Sequence, residues 1–134
     1  MKILLAEKSK HLISALMLMI TQIKNTEIKD IGSILNVDKV FNLYKELKKD
    51  RPDVLIINGG FIDHSTRETI PILQQLYPAM TILILSIDAE LGKKYLEIGV
   101  EDFILKGDSA EDFYNSMLIF LKKEQKKIFK SIIS

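Results

Sequence analysis

Short apolar runs that do not alternate with polar residues constrain this chain most: Ile3-Leu4-Leu5-Ala6, Val54-Leu55-Ile56-Ile57, Thr81 to Leu85 and, with two acids inside it, Val100 to Leu105. In a strand, successive side chains leave on opposite faces, so apolar residues at consecutive positions put oily surface on both. A sheet of such strands needs helices above and below, which is the requirement of a parallel α/β sheet. The stretches between the runs supply those helices. Leu12, Leu16, Met19, Ile20 and Ile23 recur at three and four, as do Val37, Val40, Phe41, Tyr44 and Leu47.

Boundary signals fill in the order. Ser9 is a candidate N-cap, and Ile28 to Ile34 reads as a second strand. Arg51-Pro52 ends the second helix, and Asn58-Gly59-Gly60 is a turn after the third strand. Ile70, Leu73, Leu76 and Tyr77 predict a third helix. Pro71 suits only a first turn, so that helix is expected to start near Thr69 and to close at Pro78. A helix over 89–98 stops at Gly99, and Ser109-Ala110-Glu111-Asp112 fits a capping box before the last helix. These are five βα units, a parallel sheet covered by helices for which right-handed crossovers leave few topologies, with the functional crevice expected at the carboxyl ends of the strands. Those ends are Ala6-Glu7-Lys8, Asn58-Gly59, Ser86 and Lys106.

Composition narrows the function classes. The 134 residues suit one domain, and 47% hydrophobic residues can build a core. The absence of Cys removes disulfides, thiolate metal sites and a Cys nucleophile. The longest fully apolar run, Ala15 to Ile20, is too short to span a bilayer, and the apolar residues after Lys2 are too few for a signal peptide. A cytoplasmic protein with no membrane partner is expected. Residues 1–120 carry net −3, which disfavours nucleic-acid binding by the body of the chain. No P-loop, dinucleotide loop or nucleophile elbow occurs. His11 and His64 read as surface residues, and Met17, Met19 and Met80 as core fillers.

The segments Lys2-Ile3-Leu4-Leu5-Ala6-Glu7, Arg51 to Asn58, Ile82-Leu83-Ile84-Leu85-Ser86 and Gly99 to Lys106 resemble, in order and spacing, the strand segments of the response-regulator receiver (CheY-like) family of two-component signalling. The resemblance covers residues 2 to about 123. It implies a flavodoxin-like, five-stranded parallel sheet of strand order 2-1-3-4-5. In that family an Asp ending the third strand accepts a phosphoryl group, and two acids after the first strand help to hold Mg²⁺. A Ser or Thr after the fourth strand and a Lys after the fifth bind phosphoryl oxygens.

The chain departs from that pattern at the chemistry. Asn58 stands at the acceptor position, and an amide forms no acyl phosphate. Glu7 keeps the first acid, Lys8 replaces the second, and the Met-Pro common after the third strand is missing. Ser86 and Lys106 match the pattern, and Phe103 fills the position of an aromatic that in many receivers switches between buried and exposed. The expectation is a degenerate phosphorylation pocket of Glu7, Lys8, Asn58, Ser86, Phe103 and Lys106, with no catalytic residue, no metal and no cofactor, the Mg²⁺ site being lost. Lys106 is expected to pair with Glu7, Lys8 to point to solvent, and Ser86 to hydrogen-bond Asn58. A register slip would offer Asp53 or Asp63 as acceptor, though Asp53 lies at the wrong end of its strand and Asp63 well past it. A small flavodoxin-like ligand binder is the other alternative.

The expected domain is 1–123, with 124–134 an extension of the last helix or a linker. The core pattern ends near Leu121, while residues 121–134 carry net +4. Lys106-Gly107-Asp108-Ser109 is similar to receivers that precede a helix-turn-helix output domain, which implies the regulatory part of a transcriptional regulator. The expected partner is another protein or a second copy, a homodimer through about residues 88–121 and the last helix. That segment carries Asp88, Glu90, Glu97, Glu101, Asp102, Asp108, Glu111 and Asp112.

Overall fold

The structure, a computed structural model, describes residues 1–32, 39–61 and 64–133. Its elements are β1 (Lys2–Ala6), α1 (Lys10–Ile20), β2 (Glu27–Asp30), α2 (Lys39–Asp50), β3 (Val54–Asn58), a 3₁₀ turn (Gly59–Phe61), α3 (His64–Leu76), β4 (Thr81–Ser86), α4 (Ala89–Glu97), β5 (Asp102–Leu105) and α5 (Ala110–Ile133). The five strands form one parallel sheet in the order β2-β1-β3-β4-β5. The apolar runs imply a parallel sheet covered on both faces, and the strand order is the one the resemblance implies.

The runs divide residue by residue between the two faces. Leu4, Ala6, Leu55, Ile57, Ile82 and Ile84 enter the core shared with Leu43 and Leu47 of α2, Leu73 of α3 and Tyr95 of α4. Ile3, Leu5, Val54, Ile56, Leu83 and Leu85 enter the core shared with Leu16 of α1 and Met117 of α5. Strand pleat alone thus explains why consecutive apolar positions are needed. Ser9 Oγ accepts from Leu12 N at 3.3 Å, the expected N-cap, and Ser109 Oγ accepts from Asp112 N at 3.1 Å, which is the forward half of the expected capping box.

Four expectations need correction. Helix α3 starts at His64, not near Thr69, and carries Pro71 in its interior. Proline removes one backbone bond there, but Ile70 and Leu73 on either side are buried in the core and hold the helix through it. Strand β2 stops at Asp30, although Ile31 N still donates to Leu5 O at 2.8 Å. At Gly32 the backbone presses on that of Glu7, where a Cβ would stand 2.2 Å from the Glu7 carbonyl oxygen. The expected continuation through Ser33 and Ile34 lies outside the described residues, as do Val37 and Asp63. Strand β5 starts at Asp102 rather than Val100, whose amide instead donates to Tyr95 O. Met19 and Met80 are core residues, but Met17 is 38% exposed, because the buried stripe of α1 runs through Leu16, Met19 and Ile20.

Burial also continues past Leu121. Glu124, one turn further along α5, is 3% exposed. Its Oε2 accepts from Thr81 Oγ1 at 2.7 Å, and its Oε1 lies 3.1 Å from Lys127 Nζ. The last turn tied to the sheet is therefore held by a charged residue, which an apolar pattern does not register.

Candidate functional site

The carboxyl ends of β1, β3, β4 and β5 bring Glu7, Asn58, Ser86 and Lys106 to one end of the sheet. Glu7 follows directly on an apolar strand and is 2% exposed, so its carboxylate must be compensated from within the protein. Its Oε2 accepts from Lys8 N at 2.6 Å, Ser9 N at 2.7 Å and Asn58 Nδ2 at 3.2 Å. Its Oε1 has no well-aligned hydrogen bond and is balanced by the Lys106 ammonium at 2.9 Å. The Lys106 amide donates to Ser86 O at 2.8 Å, extending the β4–β5 ladder. The Lys106 side chain thus starts at the end of the sheet and reaches Glu7 on β1.

Asn58 uses both ends of its amide. Nδ2 donates to Glu7, and Oδ1 accepts from Gly60 N at 2.8 Å, closing the turn after β3. Contrary to expectation, Ser86 does not hydrogen-bond Asn58. Its hydroxyl donates to Asp88 O at 2.8 Å, while Asp88 caps α4 by accepting from Leu91 N at 2.7 Å. A turn that needs its own backbone satisfied has taken the hydroxyl. Lys8 is exposed, but its ammonium stands 5.1 Å from the centroid of the Phe61 ring, a cation–π contact.

Phe103 of β5 packs against the core that includes Tyr95 and Ile84. A berth for its ring is made by Gly92, in the middle of α4, where a Cβ would lie 2.4 Å from the ring. Gly92, Phe61 and Gly32 were missed in the sequence. Of these, only a glycine inside a nine-residue helix carries a local signal, since it costs about 1 kcal/mol there relative to Ala.

Asp53, the alternative acceptor, sits at the opposite end of β3 and accepts from Lys2 N at 2.7 Å. Among the described residues no group of three or more His, Asp or Glu is placed to hold a metal ion, and no helix is long and apolar enough to cross a membrane.

No family model and no curated protein sequence matches the chain. Solved structures do. A response regulator from Thermotoga maritima superposes with a TM-score of 0.69 at 14% identity, over 92% of this chain and 95% of the other. The isolated receiver domain of RcsB from Salmonella enterica serovar Typhimurium, solved with the phosphomimetic BeF3⁻, gives 0.68 at 16% identity, over 91% and 88%. NtrX from Brucella abortus gives 0.68 at 12% identity; it aligns with 98% of this chain, which spans 28% of NtrX. The fold is that of the response-regulator receiver domains, the flavodoxin-like α/β class.

Proposed function

We propose that this protein is a phosphorylation-independent receiver, a signalling module that works by contact with a protein partner and catalyses no reaction. The observation that carries this reading is the bonding of Asn58. The residue at the acceptor position is an amide, and both of its ends are engaged, by Glu7 and by Gly60 N. Around it the parts of phosphoryl chemistry are committed elsewhere: Lys106 to Glu7, and the Ser86 hydroxyl to Asp88 O. The donor set also suits Mg²⁺ poorly. A hard divalent ion binds through carboxylates and waters, and here one buried carboxylate already carries an ammonium, with Lys8 beside it in place of a second acid.

The functional surface in this reading comprises residues 88–121 and the last helix. All eight acids of that segment are exposed, next to a helix end of net +4, which suits a protein partner or a second copy. A role as the regulatory part of a transcriptional regulator follows if that partner is a DNA-binding domain. The fold supports a signalling role, and the internally bonded pocket supports a constitutive one.

The test is intact-mass analysis after incubation with acetyl phosphate and Mg²⁺. No phosphoryl adduct is expected on the wild type. Lys8→Asp combined with Asn58→Asp is expected to create a Mg²⁺-dependent thermal stabilisation that the wild type lacks. A stoichiometric, base-labile adduct on any wild-type Asp overturns the reading.

A further inference from the structure

Helix α5 outruns the domain it packs on. Glu124 meets Thr81, the first residue of β4, so the sheet ends at the level of Glu124. Residues 125–133 continue as helix for roughly 13 Å beyond it. The stripe that is buried as Phe113, Met117, Phe120 and Leu121 carries on into the half-buried Ile128 and the exposed Ile132, while Gln125 and Lys127 still reach Lys24 O and Glu101. Ile132 is 77% exposed, and Phe129 and Ile133 beside it are also exposed.

This overhang is a ridge between two grooves. One, of about 560 Å³, runs between Ile128, Phe129 and Ile132 and the chain at Met1 and Asn25. The other, of about 350 Å³, lies between Ile128 and Ile132 and a wall containing Pro78, Asp53 and Glu101. That wall is anionic. Asp53 bonds a backbone amide, and among the described residues Lys127 is the one cation shared by Glu101 and Glu124. The overhang is cationic in turn: Lys122, Lys123, Lys126 and Lys130 are exposed and have no acidic partner among the described residues.

We infer that the overhang is a self-association element: the apolar ridge of one copy lies in the Asp53–Glu101 groove of a second, and the second returns the contact. Shape and charge both select a second copy of this chain. A ridge beside a groove is self-complementary under a two-fold axis. A cationic helix fits a groove walled by carboxylates, whereas an anionic lipid surface or a nucleic acid would be repelled by that wall and is too large to enter the notch. The inference rests on the reading of the chain as an interaction module, and places self-association at the end of the last helix rather than on the 88–121 surface.

Sedimentation velocity on the full chain at low salt tests it. The wild type should show a concentration-dependent monomer–dimer equilibrium that weakens with salt. Ile132→Asp should raise the dissociation constant at least about tenfold while leaving the circular dichroism spectrum and melting temperature unchanged. Ile119→Asp, a change at a 70% exposed position on α5 within the 88–121 segment, should leave the equilibrium as in the wild type. Any of four results overturns the inference: a wild type that stays monomeric, a dimer indifferent to Ile132→Asp, a dimer lost in Ile119→Asp alone, or a monomer that binds phosphatidylserine vesicles through Ile132. None of these bears on the phosphotransfer assay, so the two readings fail separately.

Discussion

Replacing Lys106 by Met removes the cation that balances Glu7 Oε1. Glu7 is 2% exposed, and its Oε1 has no other aligned donor, so the variant leaves half of a buried carboxylate uncompensated. Deleting one partner of a buried ion pair costs about 3–5 kcal/mol. Two features of this site reduce that figure. The Lys106 side chain is itself 20% exposed, so water can follow it out, and Glu7 Oε2 keeps its three donors. The expected loss at neutral pH is about 2–3 kcal/mol, or roughly 8–12 °C in melting temperature for a domain of this size. Urea unfolding followed by circular dichroism measures it directly. Adding Glu7→Gln to the variant removes the stranded charge and should recover at least ~1 kcal/mol of the loss, giving a clear coupling energy in the double-mutant cycle. A Lys106→Met protein within about 0.5 kcal/mol of wild type, or a cycle with no coupling, would show that the pair does not hold the ends of β1 and β5 together.

Gly92→Ala should destabilise the domain by about 1–3 kcal/mol, although Ala is the better helix former, because the new Cβ falls 2.4 Å from the Phe103 ring; thermal unfolding decides the sign. The Lys29 ammonium lies 2.9 Å from Asp50 and 3.0 Å from Glu46; the hydrogen bond to Lys29 holds the Asp50 carboxyl below its usual range, against the opposing effect of burial. A lowered carboxyl pKa adds stability above the unfolded value and loses it as pH falls through the folded one. The deficit of Lys29→Met, at most about 1 kcal/mol for a side chain 41% exposed, should therefore be full at pH 6–8 and shrink below about pH 4. A urea series across that range reads it out.

The layering of the fold was legible in the sequence because the pleat of a strand is a local rule, whereas the strand order came from the resemblance alone. Consecutive apolar residues in β1, β3 and β4 demand cover on both faces whatever the rest of the chain does, and Ser9 and Ser109 mark helix starts within four residues of themselves. The positions of Glu7, Asn58, Ser86 and Lys106 at one end of the sheet follow from the same logic, since each directly ends or follows a strand. What those side chains bond to was not legible throughout. The Glu7–Lys106 pair was expected because the resemblance puts both residues in one pocket and their charges are opposite. The hydroxyl of Ser86 went to Asp88 O because the turn into α4 had a carbonyl to satisfy, which depends on backbone geometry that residue types do not encode. Pro71 inside α3 was legible only as a breaker, because the burial of Ile70 and Leu73 that holds the helix through it is a tertiary fact. The same holds for Glu124. A glutamate reads as solvent-facing until Thr81 and Lys127 are brought to it from β4 and the next helical turn, and only that meeting shows that the burial of α5 runs past Leu121.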